Sequence, residues 1–264
     1  MLSAISLLIV ASCKKDLAKE ETNVTCQMTS FTVKSNNIGY EFSSSYSLSY
    51  DDKGRITKMK ESGGYEMNYS YSSTQIIEES PLKDSYAYKT IYQLDASGKI
   101  VSAIMKYTNV GTDEVSSLKY FYNSDGYLSE IQDTYMGETG TNEGETDIDK
   151  YNYTNGNLTS IVRTDPNPNG GVSIRTTQFS YNNDLAPSSF FGTYDRELPN
   201  AGVLKAYFGK ASKNLISEIS DTKNSITAPS VRYTYQKNEE SNIIHMTETG
   251  KLVSNVYGFA YNCK

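Results

Sequence analysis

Tyr120-Phe-Tyr-Asn-Ser-Asp-Gly-Tyr-Leu-Ser-Glu-Ile131 contains a strand, a turn and a second strand in one short stretch. Its first part alternates large and polar side chains, the period of two that marks a strand with one buried face. At its centre, Asn123 bonds its own backbone at a turn start, and Gly126 accepts the positive φ of a tight hairpin or bulge. The apolar positions then resume at Leu128 and Ile131. The same rhythm recurs at Tyr46–Met59, Tyr92–Ile100 and Tyr151–Ile161, with Asp51 and Gly54, Asp95 and Gly98, and Asn155 and Gly156 at the turns. Degenerate copies stand at Tyr69–Ile76, Phe179–Leu185 and Tyr233–Ile244, a truncated one at Tyr257–Tyr261, and one with a longer turn at Tyr207–Ile219. Copies follow one another about every 20 to 30 residues, the mark of a structural repeat.

Seven to nine hairpins of this kind predict about fourteen to eighteen antiparallel strands. A meander of that length cannot remain a flat sheet, because twist accumulates and open edges recruit other chains. The predicted fold is therefore all-β: an antiparallel meander of repeated hairpins rolled into a barrel-like or half-barrel sheet. A β-sandwich and a small propeller are the alternatives, and the unequal units between Tyr92 and Tyr151 argue against regular blades.

Composition agrees. The 264 residues include 23 Tyr and no Trp, and Leu and Ala are sparse. Tyr and Thr suit a pleated, half-buried surface, and the scarcity of strong helix formers argues against bundles. A net charge of −6 lacks the clustered Lys and Arg of a nucleic-acid footprint. The apolar face, mostly Tyr with scattered Leu, Ile and Met, suits an enclosed interior or groove. A lipid-facing band would need a stronger apolar signal.

Little in the chain carries chemistry. His245 is the only histidine, which rules out a multi-His metal site, and it reads as a strand residue. Asp165-Pro-Asn-Pro-Asn-Gly170 has the spacing of the opening of a calcium loop, but position 176, where the closing glutamate should fall, is Thr176. It reads as a stiff hairpin loop. The acidic stretch Glu138–Asp149 reads as a solvated loop. No Asp or Glu sits in an apolar setting that would mark it as catalytic. No cofactor, metal or catalytic residue is predicted.

The turn rhythm resembles the YD repeat of bacterial RHS-type shell proteins. At the N-terminus, Leu7-Leu-Ile-Val-Ala-Ser-Cys13 resembles the lipobox of bacterial lipoproteins, in which the signal is cut before the cysteine and the cysteine is acylated. The following Lys14-Lys-Asp16 resembles the surface-export signal of Bacteroidota lipoproteins. Together these features resemble an uncharacterised Bacteroidota lipoprotein family with a porin-like β fold. The resemblance implies a signal peptide over 1–12, lipidation of Cys13, a polar tether over 13–24 and a single β domain over 25–264. It also implies a lipid-anchored place at the outer membrane. With Cys13 acylated, Cys26 and Cys263 remain as an even pair in an oxidising compartment. They read either as a disulfide, which requires the first and last strands to be neighbours, or as two independent buried thiols.

The function expected is non-enzymatic: an envelope protein whose rolled sheet binds a glycan or lipid-like ligand in its interior or at its rim. The alternative is an interaction module that docks on an envelope protein partner through loops such as Glu138–Asp149 and Thr164–Gly171. A carboxylate-based hydrolase comes third.

Overall fold

The computed structural model describes residues 26–37, 40–83, 86–109, 112–137, 144, 146–166, 171–191, 202–251 and 253–263. The signal segment, Cys13 and the tether lie outside the described residues, as do 138–143 and 167–170.

The chain runs as a meander: β1 (Cys26–Asn37), β2 (Tyr40–Tyr50), β3 (Ile56–Glu61), β4 (Glu66–Tyr71), β5 (Gln75–Lys83) and β6 (Tyr86–Leu94). It continues through β7 (Ile100–Asn109), β8 (Thr112–Tyr122), β9 (Leu128–Tyr135), β10 (Thr146–Thr154), β11 (Asn157–Pro166) and β12 (Val172–Leu185). The last segments are β13 (Asn214–Lys223), β14 (Ile226–Thr227), β15 (Val231–Lys237), β16 (Ile243–Thr249) and β17 (Val253–Cys263). Every pairing is antiparallel. Both β14 and β15 pair with β13, through Thr222–Thr227 and Glu218–Arg232, so they form one interrupted strand. β17 returns to pair with β1 from Cys263 opposite Cys26 to Val253 opposite Asn37. The sheet is thus a closed 16-stranded barrel, and closure removes the edges that an open sheet would expose.

The repeat explains its own geometry. Asn123 accepts from the Tyr127 amide at 3.0 Å, and the Gly126 amide donates to the Asn123 carbonyl at 3.0 Å with Gly126 at φ 86. Asp51 and Asp95 build the same turn. Asn155-Gly156, both at positive φ, forms a two-residue hairpin. A bulge follows each turn at the same repeat position, with Thr57, Val101, Ser129 and Thr159 as the extra residues. The first aromatic of the repeat fills the barrel: Tyr69, Tyr92, Tyr120, Tyr151, Phe179 and Tyr257 are all buried. The second fastens it. The Tyr122, Tyr181 and Tyr235 hydroxyls donate to the carbonyls of Ile100, Leu158 and Ile216 at 2.6, 2.7 and 2.8 Å. Tyr71 binds Ile56 in the same way at 2.7 Å, and Tyr50 binds Met28. Burial pushes the Tyr50 and Tyr181 phenols up to about 12, so they remain donors at neutral pH.

Tyr207–Ile219 is not a hairpin. Tyr207 lies in a 3₁₀ turn (Lys205–Tyr207) within the long β12–β13 connection, and only its end, from Asn214, is strand. The described parts of this connection, 186–191 and 202–213, fold across one mouth of the barrel and bury Phe190, Phe191, Leu204 and Phe208 inside it. Phe208 packs against Tyr120 and Tyr92 at 5.2 and 6.0 Å, and Phe190 against Phe259 at 5.3 Å. The amides of Lys210 and Lys213 donate to the Gly126 and Gly156 carbonyls, both at 3.0 Å, tying this plug to two repeat turns.

Gly209 sits at the tie, bridged to Tyr127, with φ 78. A Cβ there would stand 2.5 Å from the Gly126 carbonyl oxygen. Gly209→Ala is expected to cost about 1–3 kcal/mol through backbone strain. A urea midpoint identical to that of the parent protein would contradict the tie.

The outer face is mixed, with Ile104, Phe121, Val172, Ile174 and Val256 exposed on some strands and polar side chains on others. β2 turns Ser43, Ser45, Ser47 and Ser49 outward, and ion pairs Lys58–Glu66 at 2.7 Å and Lys89–Glu79 at 3.1 Å lie on the outside of β3–β6. Among the described residues, no helix is long and apolar enough to cross a membrane.

Candidate functional site

Two interior features stand out: a set of engaged carboxylates along the lumen and a pocket beside the plug. The carboxylates come from inward positions that alternate with the aromatic core. Glu78 on β5 accepts from the Tyr69 and Tyr92 hydroxyls at 3.2 and 2.8 Å, across from the strands on either side. Glu248 on β16 accepts from Tyr257 at 2.9 Å and Asn255 at 3.0 Å. Glu61 on β3 is held by Ser44 and Tyr46. Asp149 on β10 receives both Nε and Nη2 of Arg163, at 2.8 and 2.6 Å. Asp221 on β13 receives Arg175 at 2.7 Å and Thr177 at 2.6 Å.

Each of these carboxylates therefore has a donor from a ladder neighbour. Buried polar groups need such partners, since an unpaired one costs about 1–3 kcal/mol. Their arrangement is structural: together they carry water-seeking groups into a wide barrel without leaving them unsatisfied. Asp147, two residues from Asp149 on the same strand face, has its carboxyl pushed up, first by burial and then by Asp165, Asp133 and Asp149 nearby.

The expected solvated loop Glu138–Asp149 is thus corrected at its end. Residues from Thr146 onward form β10, and Asp149 is a buried ion-pair partner. Period-two alternation of Thr146, Ile148 and Lys150 with the aspartates was the available signal; the charge density hid it. Asp165 lies on β11, 3.9 Å from Arg163, and the rest of the calcium-like stretch to 170 is outside the described residues. Among the described residues, no three His, Cys, Asp or Glu side chains converge as metal ligands. His245 is on β16 and exposed.

The pocket is at the plugged mouth and has a volume of about 850 Å³. One wall is the barrel rim: Met28 and the Cys26 end of β1, Tyr50, Arg55 and Ile56 around the β2–β3 turn, and Tyr71 at the end of β4. The opposite wall is the plug, with Pro187, Ser188, Ser189, Phe191, Val203, Lys205 and Tyr207. Lys237, Glu240 and Asn242 of the β15–β16 turn close the third side. Arg55 stacks on the Tyr71 ring at 4.3 Å and pairs with Asp51 at 2.7 Å. Tyr207 faces Tyr71 with ring centroids 6.0 Å apart. Lys205 donates to the Phe190 carbonyl, and burial pulls its ammonium down to about 8. The pocket thus combines flat phenol rings, hydroxyl and amide groups and a desolvated cation. Sequence reading missed it, because the plug that makes half of it has no periodic pattern.

Cys26 and Cys263, beside the pocket, are joined by a disulfide with Cα atoms 4.0 Å apart.

No protein-family profile and no curated protein matches the sequence. Solved structures do resemble the fold. A porin-like protein from Bacteroides vulgatus aligns with 88% of this chain and 97% of its own, with a TM-score of 0.64 at 17% identity. A second porin-like protein, from Bacteroides uniformis, aligns with 89% of this chain and 98% of its own, with a TM-score of 0.60 at 12% identity. At that identity the likeness shows the barrel fold.

Proposed function

We propose that the protein is a non-enzymatic envelope barrel that binds a glycan or lipid-like ligand, anchored at the outer membrane through acylated Cys13. The observation that carries the binding reading is the rim pocket, whose volume of about 850 Å³ falls in the range of small-molecule sites. Two further features support a binding role over conduction. The outer face carries polar stretches such as the serines of β2, and the plug packs Phe190, Phe191, Leu204 and Phe208 into one mouth. Tyr walls suit the reading, since a phenol ring offers a flat apolar face and a polar tip. The porin-like neighbours and the lipobox-like stretch support an envelope location.

Native mass spectrometry of protein purified gently from an envelope fraction tests the binding reading. Excess mass that leaves on denaturation is expected, and its identity names the ligand class. A bare polypeptide mass, together with no thermal shift across a glycan and lipid panel, would overturn it.

A further inference from the structure

We infer that the rim pocket takes an acidic saccharide, its carboxylate seated on Lys205 and its sugar body against Tyr50, Tyr71 and Tyr207. The inference deepens the binding reading above and rests on it. An ammonium carries three donors, and that of Lys205 has one acceptor among the described residues, the Phe190 carbonyl. No carboxylate among the described residues lies within ion-pair distance of it, so among them this cation at the pocket wall has no counter-charge. A partly buried cation of this kind is stabilised by an incoming anion far more than a solvated one is.

The other charged groups around the pocket do not fill that role. Arg55 is taken by Asp51 at 2.7 Å and Lys237 by Asp184 at 3.5 Å. Glu240 lines the side formed by the β15–β16 turn and makes no ion pair with Lys205. Beside the phenols the wall carries the Ser188 hydroxyl and the Ser189–Asn242 pair, hydrogen-bonded at 3.0 Å, polar groups that suit a sugar better than an acyl chain. Burial holds Lys205 at about 8 and pushes the Tyr50 and Tyr71 phenols up, so the amine loses its proton before those two phenols do. Affinity for an acid should therefore be near full at pH 7, be falling by pH 8 and continue to fall above it.

The test is calorimetric titration of the full chain with trigalacturonate, neutral galactotriose and oleate. Trigalacturonate is expected to bind at least tenfold more tightly than galactotriose, and to weaken at least tenfold from pH 7 to 9.5. Lys205→Met should lose at least tenfold for the acid and leave galactotriose unchanged; Lys205→Arg should keep the affinity and flatten the pH profile. Equal affinity for acid and neutral sugar, or an unaffected Lys205→Met, would overturn the role of Lys205 while the binding reading stands. Preference for oleate would overturn the saccharide in favour of a lipid acid. Failure of all three probes overturns this ligand class, and the binding reading falls with it only if the envelope-purified protein also carries no cargo.

Discussion

Replacing Phe208 with alanine is expected to destabilise the protein by about 3–5 kcal/mol, as truncation of a fully packed ring does. Phe208 is 3% exposed and lies between Tyr120 and Tyr92, which belong to different hairpins of the barrel. A cavity there has no soft neighbour to collapse into it, because both tyrosines are themselves held in the ladder. For a domain of this size the loss corresponds to a fall of roughly 6–20 °C in Tm. Phe121→Ala is the control: its ring points outward and is 42% exposed, and its loss should shift stability by no more than about 0.5 kcal/mol. If the two variants melt together, the plug does not pack into the barrel as described.

Removing the disulfide is expected to cost about 2–5 kcal/mol. The bond closes a sequence separation of 237 residues, close to the longest loop the chain can make. In the chain-entropy view this gives a ceiling of about 5 kcal/mol. The double variant Cys26→Ser, Cys263→Ser should unfold at lower denaturant, and with a steeper dependence on it, because the freed unfolded chain exposes more surface. Its far-UV circular dichroism at 25 °C should still be native. The β1–β17 ladder runs from Cys26 to Asn37, so its hydrogen bonds keep the barrel shut without the sulfur link. A variant as stable as the parent would mean that the seam constrains the unfolded chain little. A collapsed spectrum would mean that the bond, and not the ladder, closes the sheet.

The barrel was legible from the hairpins because the information is local. Asp51, Asp95 and Asn123 bond amides within four residues, and a turn of that kind is written in the sequence around it. The buried face of each strand follows from alternation, and the number of strands called for a rolled sheet without deciding between a half-barrel and a closed one; closure is seen only in the pairing of β1 with β17. What was not legible depends on partners far along the chain. The fastening hydroxyls of Tyr122 and Tyr181 reach carbonyls 22 and 23 residues away, and nothing in the pattern distinguishes them from tyrosines that merely fill space. Glu78 looks like any polar strand residue until the flanking strands bring Tyr69 and Tyr92 to it. The plug is hardest of all. Its phenylalanines have neither period two nor period 3.6, since each is placed by the barrel wall it meets and not by its own backbone. Half of the candidate site was invisible for that reason.

The seam between β1 and β17 also governs how such a barrel is made. Every other ladder joins segments that are near neighbours in sequence, so hairpins can assemble in the order of synthesis. Closure alone waits for the last strand, which gives the fold its one contact of very high sequence separation, the kind that slows folding. Until then two raw edges remain, and Phe190 lacks Tyr235 and Phe259, both of which are made after it. An unfinished sheet of this kind pairs readily with another copy. Refolding at high concentration should therefore produce exchanged dimers, in which the β17 of each chain completes the barrel of the other.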